Sequence, residues 1–384
     1  MITPGTTGEY HVRMAWLSDV QAPYREPLFC ALAARTDFRA HFVLAEEPQR
    51  HFRWRAHPGY VSEVMPSVSL PLPAPLARRL DSYQAVLRPG VTRRLLDGTD
   101  VLVVPTWAEA ASAWTMLRAS RRGVPYVLYS ESTLASRRFA RGPVSWLRNR
   151  LFRAAGAVVV PGPSARDAAL ANGVAPWRLV ESVNSVDVEA FGRRPRELRA
   201  GSDPGGEHRF VVVGQLIARK NVDTLLRAFA RLDGAPTLDV AGDGVDSAAL
   251  RALAVTLGIA DRVRFLGFVE PDGVVEVLAR AMTLVLPSTE EVYGMTALEA
   301  RVAGLQVVVS ARAGIAENLR GTAGSWVVDP DVDGVAAGLS AARTAWSGWA
   351  TEVPDDAASP ERSAQDVLVA AGIALRDRPE PHGA

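Results

Sequence analysis

Short apolar runs recur along the chain, and between them lie longer stretches whose apolar positions fall three or four apart. Runs of the first kind, bounded by Gly, Pro, Ser or Asp, predict buried strands; stretches of the second kind predict helices packed on them. In the first half this reading gives strands at 11–17, 38–44, 100–105, 125–129 and 157–160. It gives helices at 25–34, 82–96, 110–121, 134–155 and 164–171, after a small, polar, frayed terminus at 1–10. A second alternation starts with a strand at Phe210. Further strands follow at 238–241, 263–266, 282–286 and 305–310, and helices at 223–232, 248–257, 273–281, 295–302 and 359–375. Two such alternations predict an α/β protein with two doubly wound parallel sheets. The expected division is a domain over 1–192, a linker over 193–208 rich in Arg, Pro and Gly, and a domain over 209–358.

A length of 384 residues suffices for two cores, and a hydrophobic fraction of 48% fits a soluble globular chain. No apolar run reaches the length of a membrane span, and the N-terminus lacks a basic start followed by an apolar core. Neither a transmembrane helix nor a secretory signal is expected. Cys30 is the single cysteine, which excludes an internal disulfide and fits a cytoplasmic protein.

Charge changes the picture. Residues 1–200 hold 27 Arg against 17 Asp plus Glu, a balance of +10, and residues 201–384 hold 15 Arg and one Lys against 25 acids, a balance of −9. The basic half fits either an anionic acceptor or membrane surface, or a face turned toward the acidic half. Nothing in the pattern points to nucleic acid. Two clusters stand out. Arg50, Phe52, Arg53, Trp54, Arg55 and His57 suit either stacking on an acceptor or an exposed loop. Arg137, Arg138, Arg141, Arg148, Arg150 and Arg153, with Trp146, Leu147, Leu151 and Phe152 beside them, suit either peripheral contact with an anionic membrane or a core-facing helix with a solvated basic face. The bias to 42 Arg against one Lys is that of a GC-rich, bacterial genome. The lone Lys220 stands at the end of a strand–loop segment with Gly214, Gln215 and Arg219, where a compact ammonium suits phosphate.

The densest chemistry lies in VLPSTEEVYGMTALEARVAGLQVVVSARAGIAE, residues 285–317. It reads as strand, polar loop, helix and strand, with the loop at a carboxyl strand end, where open α/β sheets bind ligands. Gly294 permits close backbone approach, and the first-turn amides of Met295 and Thr296 form an anion site. Glu291 precedes this helix start and Glu299 lies in its second turn. The spacing alone is weak, since Glu181, Glu189 and Glu197 repeat it without such a loop. Gly242-x-Gly244 lacks the third glycine of a nicotinamide fingerprint.

The whole frame resembles glycosyltransferase family 4: Pro-Ser before the carboxylates, Tyr293-Gly294 between them, Glu299-Ala300 after, then Ala303-Gly304 and a Val-rich strand. Asn184-Ser185-Val186-Asp187 with Phe191 is similar to that family's turn at the end of the first domain. The resemblance implies the GT-B fold, two Rossmann-like domains facing across a cleft, with the last helix, about 360–376, returning to the first domain. It implies a retaining transferase moving a sugar from a nucleotide-diphosphate sugar to a hydroxyl of a saccharide, a lipid-linked saccharide or a small molecule, without a metal or bound cofactor.

For the donor, the resemblance assigns Lys220, Arg219 and the amides of Met295 and Thr296 to the phosphates, Glu299 to the ribose, Glu291 to the sugar, and Gly267 and Val269 to the base. Gly214 and Gln215 belong to the phosphate loop, although the family usually has Arg at the position of Gln215, a charge that Arg219 is placed to supply. For the acceptor it points to the loop Pro23-Tyr24-Arg25, to Trp107 and Glu109 beyond a strand, and to Ser130-Glu131-Ser132, which stands where many members have a histidine. Glu131 there either orients or deprotonates the acceptor hydroxyl, or serves a structural hydrogen bond. A sugar-nucleotide epimerase of the same fold and a non-catalytic nucleotide-sugar-binding subunit are the alternatives.

Overall fold

The computed structural model describes residues 11–47, 52–69, 85–134, 139–200, 206–350 and 359–376. The terminus expected to be frayed, Arg50, residues 82–84, Arg137, Arg138 and residues 201–205 of the expected linker lie outside the described residues. The chain divides into two compact units, residues 1–185 with 360–384, and residues 186–359.

The first unit contains β1 Arg13–Ser18, α1 Glu26–Ala33, β2 Asp37–Phe42, β3 Glu46–Glu47, β4 Phe52–Arg53, β5 Val61–Val64, β6 Ser67–Ser69, β7 Ala85–Leu87, α2 Val91–Leu96, β8 Val101–Val104, α3 Ala110–Arg121, β9 Tyr126–Tyr129, α4 Pro143–Ala154, β10 Ala157–Val160, α5 Pro163–Ala171 and β11 Leu179–Glu181. Among the described residues, seven strands form its main sheet in the order β11-β10-β9-β8-β1-β2-β5, all parallel. Alternation within each strand feeds two cores on opposite faces. Ala15, Leu17, Leu102, Val104, Leu128 and Val158 enter one, and Met14, Trp16, Val101, Val103, Val127 and Val159 the other. The C-terminal helix Pro360–Arg376 closes the second core with Ala364, Val367, Leu368 and Ala371. It packs so tightly that a Cβ on Gly156 would lie 2.6 Å from the Cβ of Ala374.

Two helix expectations are corrected here. Of the helix expected over 82–96, the described residues form a helix at Val91–Leu96, whereas Ala85–Leu87 is a strand paired with Ser67–Ser69. The sequence Pro89-Gly90 explains the break, because Pro lacks an amide donor and Gly90 turns with φ +82°. Of the helix expected over 134–155, the described residues 139–142 are not helical, and a helix begins at Pro143 behind Gly142 at φ +93°.

The second unit opens with a π-helical turn, Glu189–Arg193, and contains α6 Arg194–Arg199, β12 Arg209–Val213, α7 Val222–Phe229, β13 Thr237–Ala241, α8 Ser247–Thr256, β14 Val263–Gly267, α9 Pro271–Arg280, β15 Thr283–Leu286, α10 Met295–Val302, β16 Gln306–Ser310, α11 Ala316–Leu319, β17 Ser325–Val328 and α12 Val332–Thr344. The sequence reading missed β17 and α12. Six described strands form a parallel sheet in the order β14-β13-β12-β15-β16-β17. The order reverses between β12 and β15, so their carboxyl ends form the switch point of a doubly wound sheet. Both units thus have the predicted fold class.

The segment before β12, read from composition as linker, includes the helix α6, which is tied firmly into this unit. Buried Arg199 donates to the carbonyls of Leu278 at 2.8 Å, Ala279 at 2.7 Å and Ala303 at 2.6 Å, which end α9 and α10. A cation there satisfies orphan carbonyls and complements two helix dipoles. Its guanidinium lies 4.5 Å from the ring centre of Trp349, and desolvation lowers its pKa to about 10. Asp187 accepts from the amides of Glu189 and Ala190, which sets Val186 and Phe191 against Leu298 and Val302 of α10.

Candidate active site

In the second unit, the loops after β12 and β15 meet at the switch point. The amide of Thr289 donates to the carbonyl of Arg219 at 2.9 Å, and the Arg219 guanidinium reaches the carbonyl of Glu290 at 3.5 Å. Lys220 and Glu291 form an ion pair through Nζ and Oε2, with side chains only 16% and 13% exposed. Ser288 Oγ adds a bond to the same carboxylate oxygen at 3.3 Å.

Asn221, which the sequence reading passed over, holds this arrangement. It is the one described non-glycine residue with positive φ, at +56°. Its amide donates to the carbonyls of Pro287 at 3.0 Å and Pro330 at 2.9 Å, while its carbonyl oxygen accepts from Thr224. Asn tolerates this backbone conformation better than most residues and can make all three bonds. An Asn directly after the lone lysine was the available signal.

Glycines bring backbones together around the pair. A Cβ on Gly242 would lie 1.8 Å from the carbonyl oxygen of Gly214, and φ at Gly242 is +146°. The glycines of Gly242-x-Gly244 therefore seat the Gly214–Gln215 loop against the neighbouring one. Leu216 and Asp243 complete the contact through an amide–carbonyl bond of 2.8 Å. Gly294, with φ +109°, sits where a Cβ would be 2.8 Å from Leu286. Met295 and Thr296 follow it as the first turn of α10, and early helical amides have no acceptor within the helix. Glu299, half-buried farther along α10, has its pKa pushed up to about 7 by desolvation. The Gly267 carbonyl accepts from the Gly242 amide at 2.7 Å, Val269 is half-buried, and Phe268 between them is 43% exposed.

In the first unit, Tyr24, Arg25 and Glu131 come together beyond the carboxyl ends of β1 and β9. The Arg25 guanidinium lies 5.6, 5.5 and 5.2 Å from the ring centres of Trp16, Tyr24 and Tyr129. It reaches Glu131 Oε1 at 3.5 Å, and Asn184 donates to the same oxygen at 2.9 Å. The Tyr129 hydroxyl donates to Asn184 Oδ1 at 2.9 Å, which orients the amide. Burial alone would lower the Arg25 pKa, but Tyr24 and Glu131 outweigh it and the value is raised. Ser132 is half-buried beside Glu131.

Trp107 and Glu109 lie differently. Trp107 packs against one core of the first unit, with Arg148 of α4 5.6 Å from its ring centre, and Glu109 is buried at the start of α3. Arg148 corrects the reading of the basic helix. It is 4% exposed and bonds Asn172, Ser145 and the Phe139 carbonyl, so it belongs to the interior. Arg141, Arg150 and Arg153 are exposed as expected, as is Trp146 at 62%. Exposed Trp114 on α3 and Trp177 also carry arginines, Arg118 and Arg178, over their rings. The loop with Arg55 and His57 is pinned by Gln21, which accepts from the Arg55 amide at 2.7 Å.

A cavity of about 590 Å³ lies elsewhere in the first unit, lined by Arg13, Asp37, His41 and Glu63. Its lining runs from the amino ends of β1 and β2 to His41 and the carboxyl end of β5. Among the described residues there is no helix long and apolar enough to cross a membrane and no group of His, Cys, Asp or Glu side chains that would hold a metal ion.

Residues 194–344, which carry the Lys220–Glu291 site, match the family model for glycosyl transferases group 1. An uncharacterized glycosyltransferase of Methanocaldococcus jannaschii is 32% identical over 46% of this chain and 44% of its own length. A D-inositol 3-phosphate glycosyltransferase of Mycobacteroides abscessus is 40% identical over 27% of this chain and 24% of its own length. The chain thus spans less than half the length of these curated relatives. Among solved structures, Anabaena HepE in complex with UDP and glucose superposes with a TM-score of 0.65 at 16% identity, covering 95% of this chain and 98% of HepE. The lipopolysaccharide outer core galactosyltransferase WaaB gives 0.65 at 14% identity, covering 93% and 98%. At such identities the structures establish the GT-B fold.

Proposed function

We propose that the protein is a retaining glycosyltransferase that moves a sugar from a nucleotide-diphosphate sugar to an acceptor hydroxyl. The observation that carries this reading is the meeting of Lys220 and Glu291 at the switch point of the second unit. A diphosphate leaving group gains charge as its bond to the sugar breaks. Lys220, Arg219 and the amides of Met295 and Thr296 are assigned to that charge, and preorganised donors of this kind lower the barrier. Glu291 is assigned to sugar hydroxyls and Glu299 to the ribose, since ionised carboxylates accept two hydrogen bonds well. We invoke no metal for these steps. The C1–oxygen bond breaks with its electron pair on the diphosphate. The acceptor oxygen bonds to C1 on the same face, and its proton passes to a phosphate oxygen.

Acceptor recognition is assigned to Tyr24, Arg25 and Glu131. Ionised Glu131, its Oε1 already taken by Arg25 and Asn184, offers its other oxygen to a hydroxyl. The exposed Trp146, Arg141, Arg150 and Arg153 support peripheral contact with an anionic membrane on its cytoplasmic side. That contact would bring a lipid-linked acceptor within reach.

The test is a panel of nucleotide sugars, with UDP-glucose first because HepE was solved with UDP and glucose. One of them should raise the melting temperature and be slowly hydrolysed to nucleoside diphosphate and free sugar of retained configuration. Release of a C2-inverted sugar would favour the epimerase, and stabilisation without turnover the binding subunit.

A further inference from the structure

Lys220 is the only lysine of the chain, and its ammonium is engaged by Glu291. The pair is built into rigid surroundings. Asn221 locks the backbone after Lys220, and the Arg219 carbonyl is bound by Thr289. On the other side, the Glu291 carbonyl accepts from the Gly314 amide at 3.2 Å. Ser288 Oγ, on a fully buried residue, fixes the carboxylate oxygen that faces the ammonium.

We infer that Glu291 sets the preference of this site for the sugar-bearing nucleotide over the spent nucleoside diphosphate. The inference rests on the donor-site reading above and adds a second duty to the same carboxylate. A terminal phosphate carries about one more negative charge near neutral pH than the same phosphate esterified to a sugar. The spent diphosphate therefore places its larger charge near Lys220 and meets the Glu291 carboxylate at close range. Like charges at a poorly solvated site repel strongly. The bare diphosphate must also draw Lys220 from its partner and gives Glu291 no donor in return. The sugar-bearing nucleotide brings less charge and hydroxyl donors that bind the released carboxylate. Glu291 thus helps to expel product.

The test is calorimetric titration of UDP and UDP-glucose into wild type, Glu291→Gln, Glu291→Asp and Lys220→Ala, with the GDP and ADP pairs run in parallel. In Glu291→Gln the bare diphosphate should bind at least 10-fold tighter, and the preference for the sugar form should fall at least 10-fold. Glu291→Asp keeps the charge and should keep most of the preference. Glu291→Ala, as a second neutral variant, should lose it as well if the Gln variant folds poorly. An unchanged preference in the neutral variants, with Lys220→Ala still weakening every nucleotide, overturns this inference alone. If wild type binds no nucleotide, or Lys220→Ala binds all as well as wild type, the donor-site reading falls and takes the inference with it.

Discussion

Replacing Glu299 by Gln should make the protein more stable and the donor site weaker. Glu299 is half-buried on α10, and desolvation raises its pKa from 4.5 to about 7. A carboxyl raised in the folded state binds its proton more tightly there than in the unfolded chain. Its contribution to stability is therefore complete below pH 4.5 and is lost as the pH rises toward 7. At 1.36 kcal/mol per pH unit, a rise from 4.5 to about 7 corresponds to about 3–4 kcal/mol for a fully desolvated group. Glu299 keeps some contact with water, which relieves part of the penalty, so about 1–3 kcal/mol is expected. Gln has the same shape and carries no charge, so Glu299→Gln should gain this amount at pH 8 and almost nothing at pH 4.5. In a unit of this size the gain is a few degrees in melting temperature. Thermal melts at the two pH values, followed by calorimetry with a nucleotide sugar, provide the assay. The ribose hydroxyls need an ionised acceptor, so wild-type affinity should rise through pH 7, whereas the variant should bind weakly with little pH dependence. A variant less stable than wild type at pH 8, or one offset equally at both pH values, would refute the reasoning.

Arg199→Ala should destabilise the second unit by at least about 3 kcal/mol in denaturant melts, because it strands three buried carbonyls at two helix ends; an effect below 1 kcal/mol would contradict that role. Arg148→Gln should lower the melting temperature without changing vesicle binding. Arg150→Gln with Trp146→Ser should do the reverse, weakening salt-sensitive binding to phosphatidylglycerol vesicles; equal vesicle binding by that double variant and wild type would remove the membrane reading. Gly242→Ala forces the Gly214 loop away and should weaken nucleotide binding at least 10-fold by calorimetry; wild-type affinity would show that the loop contact is dispensable.

The sheets were legible because parallel strands are buried on both faces and read as continuous apolar runs, such as Val101–Val104 and Ala157–Val160. The loops at the switch point of the second unit were legible because Gly294 and the two glutamates stand in one contiguous frame. Residues acting across the chain were not. Arg199 sits in an Arg- and Pro-rich stretch that looks like linker, and only the folded unit reveals the helix ends that it caps. Arg148 shares its spacing with exposed arginines, and its burial depends on Asn172 and the Phe139 carbonyl. The pairing of Asn184 with Glu131 joins residues 53 apart through Tyr129, and no local pattern encodes it.

The most direct measurement is titration of UDP-glucose and the other nucleotide sugars into wild type and Lys220→Ala. One charge-assisted contact to phosphate is worth about 1.5–3 kcal/mol, so the variant should bind the preferred donor roughly 10- to 150-fold more weakly. It should also lose donor hydrolysis. If no nucleotide sugar binds wild type, or the variant binds and hydrolyses the donor unchanged, the switch point of the second unit is not the donor site.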